Sequence, residues 1–253
     1  MKGNMVIALI LSGGTGKRMG TDIPKQYIKV NGRPVISWCM ERLAAHPEIN
    51  AIQIVAEEMW RDTISECVNY MDAVPDRMKF TDKFKGFSVP GENRQLSILH
   101  GLEDIRTYAA DSDYVLVHDA ARPLLSDEQI TECLAAAAGH DGVIPVLPMK
   151  DTVYLSENGR TITSLLNRSQ IYAGQAPELF VLGKYYEVNK AMTMEEIMRI
   201  NGSTEPAVMA GMDMAMIPGD EGNFKITTMA DLERFKEKVG EESLDSDESM
   251  GTT

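Results

Sequence analysis

Residues 12–20 read Ser-Gly-Gly-Thr-Gly-Lys-Arg-Met-Gly, and Pro24-Lys25-Gln26-Tyr27 follows closely. Glycines let backbone N–H groups approach an anion, and Lys17, Arg18 and Lys25 add positive charge. The apolar run before the loop, residues 5–11 (MVIALIL), is predicted to be a buried strand, too short to span a membrane. A strand feeding a glycine-rich, cationic loop is where α/β proteins hold phosphates. The chemistry expected of this chain is therefore that of a nucleotide.

Two familiar phosphate loops do not fit. The Walker pattern requires Gly-Lys-Ser/Thr, and here Gly16-Lys17 is followed by Arg18, with Leu11 at the leading glycine position. The dinucleotide pattern G-x-G-x-x-G begins at Gly14 and Gly16 but meets Met19 at its third glycine. Its acidic residue is also missing, because the next predicted strand, 51–55, leads to Glu57 and Glu58, far too late. A loop that merely turns the chain would not need paired cations followed by Lys25.

The loop must be positioned by a larger frame. The chain has 253 residues and 43% hydrophobic content, enough for one large α/β domain. Predicted strands at 51–55, 79–81, 114–117 and 142–146 alternate with predicted helices at 34–45, 59–70, 91–102 and 126–138. Pro34 suits a first helical position, and Ser126 suits an N-cap followed by Asp127 and Glu128. In 91–102, Leu96, Leu99 and Leu102 are expected on one face. The alternation predicts an α/β fold with a three-layer, mostly parallel twisted sheet, Rossmann-like in layering. Around Asn158-Gly159 the pattern switches to a β-hairpin, an inserted arm at about 148–168. A loop is expected at 174–180, then helical segments, a strand at 214–217 and a last helix at 229–238. One domain over 1–239 is expected.

Composition narrows the partners. The net charge is −13, which argues against nucleic acid and anionic membranes. Residues 240–253 carry five acids and no base and are expected to form a disordered tail. The 5–11 run lacks a signal-peptide cleavage pattern, and Cys39, Cys67 and Cys133 show no metal or redox spacing, so a cytoplasmic protein is expected. Most of the seventeen methionines are expected to be core filler.

An acidic chain must hold an anion with a local cluster of cations. In α/β sheets ligands sit at the carboxyl ends of strands, and cations recur at those places. The first strand leads to Lys17, Arg18 and Lys25. The strand at 114 leads to Asp119, Ala120 and Arg122, and that at 142 leads to Lys150, Asp151 and Thr152. The hairpin returns at Arg168, and the 223–228 segment offers Lys225. The Asp119 carboxylate among them suggests Mg²⁺, which prefers oxygen ligands and phosphate partners. Plainer readings remain open: solvated loop charges at Lys17 and Arg18, Asp119 as a cap or ion-pair partner of Arg122, Arg168 as an ordinary hairpin charge, Lys225 as a neutralising cation. His118 reads as a packed residue, since no nucleophile pairs with it.

Taken in order, SGGTGKRMG, PKQY, GENRQLSILHGL, VHDAARP, KDT, NR and NFKITT resemble the cytidylyltransferase family of the 2-C-methyl-D-erythritol 4-phosphate and ribitol 5-phosphate enzymes, over about residues 5–238. The resemblance implies that CTP is bound by Ser12, Gly13, Gly14, Thr15 and Gly16, with Lys17, Arg18, Lys25 and Lys225 on the triphosphate. It implies cytidine-side positions at Gly91 and Ser97, and Asp119, Ala120 and Arg122 in the VHDAARP motif, with Asp119 near Mg²⁺. Thr152 and Arg168 match positions that contact the sugar phosphate, Arg122 is placed with them as substrate-binding, and the arm implies a homodimer. The implied reaction joins CTP and a polyol phosphate, 2-C-methyl-D-erythritol 4-phosphate being favoured, with Lys25, Arg168 and Arg18 in catalytic roles. Rivals are a ribitol 5-phosphate enzyme, a noncatalytic nucleotide-binding homologue, and a glycosyltransferase of similar fold; the last usually has a D-x-D motif, and VHDAARP has one aspartate. Two segments depart from the methylerythritol branch. Ala176-Pro177-Glu178 stands for its T-P-Q, after a Gly174-Gln175 that is more like the ribitol branch. Ser203-Thr204-Glu205-Pro206 stands for its T-D-E-A.

Overall fold

The computed structural model describes residues 3–14, 23–74 and 79–248. Strand β1 (Val6–Leu11) precedes a small hairpin of β2 (Lys29–Val30) and β3 (Arg33–Pro34), then helix α1 (Ile36–Ala45). Next come β4 (Ala51–Val55), α2 (Glu58–Asp72), α3 (Phe80–Lys83), β5 (Phe84–Ser88), α4 (Arg94–Ile105) and β6 (Tyr114–Asp119). They are followed by α5 (Asp127–Ala136), β7 (Gly142–Pro148), arm strands β8 (Tyr154–Leu155) and β9 (Ser164–Leu165), β10 (Tyr172–Gly174) and β11 (Glu178–Val181). The chain continues through α6 (Leu182–Ala191), α7 (Met194–Arg199), α8 (Thr204–Met209), β12 (Met214–Pro218) and α9 (Met229–Glu248).

The expected three-layer, mostly parallel sheet is present. β1 lies at its centre, parallel to β4 on one side and β6 on the other. Its side chains alternate between two cores. Val6, Ala8 and Ile10 pack with Met40, Leu43, Ile64 and Leu134 from helices on one face. Ile7 and Leu9 pack with Ile98, Leu102 and Tyr185 on the other. Burial on both faces explains why residues 5–11 are apolar throughout rather than alternating. No helix among the described residues is long and apolar enough to cross a membrane.

Several expectations give way. Residues 174–180 are largely sheet, not loop: after a cis Ala176–Pro177 bond, β11 runs antiparallel between β6 and β7. Leu179 and Phe180 are fully buried there, and a short apolar run carries no periodicity by which to identify it. The strand expected at 79–81 is instead α3, whose first residues donate to Asp72, from Phe80 N at 2.5 Å and Thr81 Oγ1 at 2.6 Å. The edge strand follows as β5, paired with β4. Pro34 belongs to β3, and α1 starts at Ile36. The buried face of α4 centres on Ile98, Leu102 and Ile105, while Leu96 and Leu99 are half-buried. α9 passes the expected end at 238 and runs to Glu248, into the segment expected to be disordered; no proline interrupts it, and Glu and Leu favour helix. Residues 249–253 lie outside the described residues.

Candidate active site at the carboxyl ends of β1 and β6

Parallel register brings two sequence-distant motifs together. Leu11 is aligned with Val55 on one side and with Asp119 on the other. Ser12 N donates to Val55 O at 2.9 Å and Ala120 N donates to Leu11 O at 3.1 Å. The glycine loop and the HDAARP segment therefore leave the sheet side by side. The chain runs from β1 outward to β4 and β5, then returns to β6 on the other side of β1. This is the topological switch point, where open α/β sheets present a ligand crevice.

The PKQY segment holds the start of the loop. Gln26 Nε2 donates to the carbonyls of Ser12 and Gly14, each at 2.7 Å. Ser12 Oγ donates to Tyr27 Oη at 2.7 Å, and the Tyr27 ring stacks on Trp60 with centroids 4.4 Å apart. Burial pushes the Tyr27 hydroxyl up to about 12, so it stays neutral. A Cβ at Gly13 would lie 2.4 Å from Pro90 Cβ, so only glycine fits this approach. Lys25 heads the same 3-10 turn, Lys25–Tyr27, and is half-buried. Thr15, Gly16, Lys17 and Arg18 lie outside the described residues.

Gly91 and Ser97 form the next wall. Gly91 N donates to Ser97 Oγ at 3.0 Å, and that hydroxyl donates to Asn93 O at 2.8 Å. Asn93 caps α4 by accepting from Leu96 N at 2.8 Å. A Cβ on Gly91 would meet Leu96 Cβ at 2.5 Å.

Asp119 is the electrostatic centre. Its Oδ1 lies 3.1 Å from Arg94, its Oδ2 lies 2.8 Å from Lys225 Nζ, and Arg122 Nε is 3.8 Å from Oδ2. Burial alone would raise the Asp119 carboxyl, but the Arg94 guanidinium and then the Lys225 ammonium hold it well below the usual range. Behind it, Glu178 lies 3.9 Å from Arg94 and is pushed up to about 7, by burial first, with Arg94 opposing and Asp119 adding to the rise. Arg122 Nη1 donates to Asn223 O at 2.6 Å. The readings of Asp119 as an ion-pair partner and of Lys225 as a neutralising cation thus describe real contacts. His118 is fully buried, its Nε2 3.0 Å from Arg122 O, and burial lowers it to about 4.

Arg94 and Glu178 were absent from the sequence-based set. Arg94 stands within GENRQLS and Glu178 just after the cis bond, but a contact across 25 positions leaves no periodic trace in sequence.

The donor set bears on Mg²⁺. Among the described residues no three His, Cys, Asp or Glu side chains cluster as a metal cage. Asp119 Oδ1 already faces Arg94, and Oδ2 faces Lys225 and Arg122. The residues fit Mg²⁺ held through this one carboxylate with phosphate oxygens supplying most ligands. They do not fit a cation held by protein alone.

Thr152 and Arg168 stand apart on the arm. Arg168 Nη1 donates to Lys150 O at 2.6 Å, and both Thr152 and Arg168 are exposed. Among the described residues no hydrogen bond or ion pair links either to Asp119, Arg94 or Lys225. The arm pairs Tyr154 with Leu165 and Leu155 with Ser164, and its turn is tied by Asn158 Oδ1, which accepts from Arg160 N at 2.9 Å and Thr161 N at 3.0 Å.

The chain is similar in sequence and in fold to known proteins. A bifunctional IspD/IspF enzyme of Rhodospirillum rubrum is 34% identical over 90% of this chain, which spans only 56% of that protein's length. A ribitol-5-phosphate cytidylyltransferase of Streptococcus pneumoniae is 31% identical over 93% of this chain and 99% of its own. The fold matches a 4-diphosphocytidyl-2C-methyl-D-erythritol synthase of Anaerococcus prevotii with a TM-score of 0.77 at 21% identity, over 94% of this chain and 97% of that one. A 2-C-methyl-D-erythritol 4-phosphate cytidylyltransferase of Thermus thermophilus gives 0.67 at 25% identity, over 93% and 98%. The model of the 2-C-methyl-D-erythritol 4-phosphate cytidylyltransferase (IspD) family matches residues 6–239, and the chain belongs to that family of cytidylyltransferases.

Proposed function

We propose that this protein transfers the cytidylyl group of CTP to 2-C-methyl-D-erythritol 4-phosphate and releases pyrophosphate. The observation that carries the reading is the convergence of Arg94, Arg122 and Lys225 on one carboxylate beside the glycine loop, in a chain of net charge −13. Three cations against Asp119 and a partly neutralised Glu178 leave local positive charge for a triphosphate.

A phosphate oxygen of the acceptor forms the new bond to the α-phosphorus. The bond from that phosphorus to the β-phosphate's bridging oxygen breaks, and its electron pair leaves with pyrophosphate. The nucleophile is already anionic near neutral pH, so no general base is needed. A buried neutral His118 and buried cysteines fit that requirement; Cys39 and Cys133 are pushed up to about 12 by burial. The side chains have to align two repelling anions and stabilise the charge on the α-phosphate. Lys25 and Arg18 serve the donor side, and Lys225 and Arg122 serve the phosphates next to Asp119. When bound at Asp119, Mg²⁺ would offset triphosphate charge and favour departure of pyrophosphate.

Thr152 and Arg168 serve the acceptor phosphate from the arm, reaching a centre completed across a homodimer. Exposed Tyr154, Leu155, Ile162 and Leu165 on the arm support burial against a second copy. Ribitol 5-phosphate is the second reading, favoured by Gly174-Gln175-Ala176. Gln175 is buried there, its Nε2 donating to Asp220 O at 3.0 Å and its Oε1 accepting from Asp220 N at 3.0 Å.

Pyrophosphate release with CTP, Mg²⁺ and each acceptor tests the proposal. Turnover with the methylerythritol phosphate is expected. Turnover with ribitol phosphate alone reassigns the acceptor, and CTP binding without turnover on either favours a noncatalytic protein. Sedimentation velocity reads the dimer, and a monomer at micromolar concentration removes that part.

A further inference from the structure

The two segments that depart from the methylerythritol pattern meet in the folded protein. Thr204 Oγ1 donates to Glu178 Oε1 at 2.9 Å, across 26 positions of chain. The carboxylate of this pair is on β11 and the neutral donor is on α8.

The acid on β11 has a consequence that a glutamine lacks. Glu178 is 7% exposed, and its Oε2 has no hydrogen-bond partner. A buried carboxylate with one hydrogen bond is costly unless a cation compensates it. The cation is Arg94, whose Nη2 lies 3.9 Å from Glu178 Oε2 and 3.1 Å from Asp119 Oδ1. The Arg94 Nε also bonds Asp119 Oδ1 at 3.1 Å. The guanidinium is thus held between two carboxylates from adjacent antiparallel strands, where Glu178 aligns with Val117. On its other side Glu178 grips the first residue of α8. The preceding residue, Ser203, is fully buried, and its carbonyl accepts from Tyr185 Oη at 2.7 Å. The 203–206 turn is therefore anchored at Ser203 by α6 and at Thr204 by β11.

We propose that Glu178 is a positioning residue of the transfer centre, holding Arg94 in place against Asp119 and, through Thr204, tying the 203–206 turn to the same cluster. Glu178 touches no reacting atom in this reading. It gives the Arg94 guanidinium a second carboxylate, 3.9 Å from Nη2, beside its contacts with Asp119. Thr204 supplies the neutral donor that the acid requires, so the two positions act as a coupled pair. The inference rests on the cytidylyl-transfer reading.

The test is a double-mutant cycle of Glu178→Gln, Thr204→Asp and the double variant. Pyrophosphate release, the rise in Tm on adding CTP, and the Tm without ligand are each measured. Glu178→Gln is isosteric and removes a buried charge, so its unliganded Tm is expected to equal or exceed that of the unaltered protein. Its kcat is expected to fall by roughly tenfold, with KM for CTP changed less than about threefold. Thr204→Asp sets two carboxylates together and is expected to lower kcat by roughly tenfold or more and to lower Tm. In the double variant the neutral glutamine at 178 no longer repels the aspartate at 204, so kcat is expected to stay within about threefold of Glu178→Gln and not to fall by the product of the two losses. Activity losses that multiply in the double variant overturn the coupling. A Glu178→Gln enzyme with unchanged kcat overturns the positioning role. If the unaltered protein turns over neither acceptor, the cytidylyl-transfer reading itself fails. The Tm without ligand then decides: a double variant that regains the Tm lost in Thr204→Asp supports the Glu178–Thr204 pair, and additive losses overturn it.

Discussion

Lys225 Nζ stands 2.8 Å from Asp119 Oδ2, although 106 positions separate the two residues. Backbone and side-chain bonds on either side of Lys225 set this distance. Asn223 Nδ2 donates to Ala176 O at 2.8 Å, and Ile226 N donates to Ala121 O at 2.9 Å. The NFKITT segment is thereby laid across the end of β6, and its lysine faces the carboxylate.

Lys225→Ala removes one of three cations around Asp119. It is expected to lower kcat/KM for CTP by roughly a hundredfold, about 2.7 kcal/mol of transition-state stabilisation. Arg94 still pairs with Asp119, so Tm is expected to fall by no more than about 4 °C. Steady-state kinetics and a melting curve check both, and activity within threefold of the unaltered enzyme removes Lys225 from the mechanism.

Lys25→Ala is expected to lower turnover by roughly a hundredfold or more, as loss of a single transition-state donor does. Gln26→Leu releases the carbonyls of Ser12 and Gly14 and is expected to act mainly on KM for CTP, because it loosens the loop without removing a charge. Equal losses in kcat and KM for both variants would show that the turn does not divide its work in this way.

Gly13→Ala places a methyl group 2.4 Å from Pro90 Cβ and is expected to weaken CTP binding by roughly tenfold or more. Pro90→Gly removes the obstructing ring atoms, so the double variant is expected to bind CTP better than Gly13→Ala alone. Calorimetric titration with CTP checks it, and no recovery in the double variant places the cost of Gly13→Ala elsewhere.

Asp231 fixes the start of α9 by accepting from Thr227 N at 2.9 Å, Thr227 Oγ1 at 2.7 Å, Thr228 N at 2.8 Å and Thr228 Oγ1 at 2.9 Å. Partial burial would raise its carboxyl, but these bonds lower it from 3.8 to about 2. The folded value lies below the unfolded one, so this stabilisation is present above the unfolded value and is lost as pH falls toward the folded value. Tm is expected to drop more steeply for the unaltered protein than for Asp231→Asn between about pH 5 and pH 2. Parallel curves would mean that Asp231 does not carry the acid sensitivity of α9.

Much of the site is legible without coordinates because its parts are local. MVIALIL can only be buried on both faces, so it becomes a central strand, and its end must present the glycine loop. The sharp change from apolar residues to HDAARP likewise marks the end of β6 and places Asp119 and Arg122 at the same edge of the sheet. Lys225 is recognisable as a residue type in NFKITT, but only as a candidate. These inferences rest on interactions within a few residues, which composition and periodicity record.

Tertiary structure alone decided the rest. The leucine-phenylalanine-valine run at 179–181 has no period, so only pairing with β6 and β7 shows that it is a strand. Arg94 and Glu178 are ordinary charges in sequence; they become part of the centre when β11 inserts next to β6 and brings Glu178, like Asp119, within reach of the Arg94 guanidinium. Thr152 and Arg168 are exposed on the arm, and among the described residues no hydrogen bond or ion pair joins either to Asp119. The sequence by itself determined the phosphate-binding end of the sheet, because strand burial and loop chemistry are local. Which charges surround Asp119 was decided by strand order and register, because ion pairs depend on distance in space and leave no spacing along the chain.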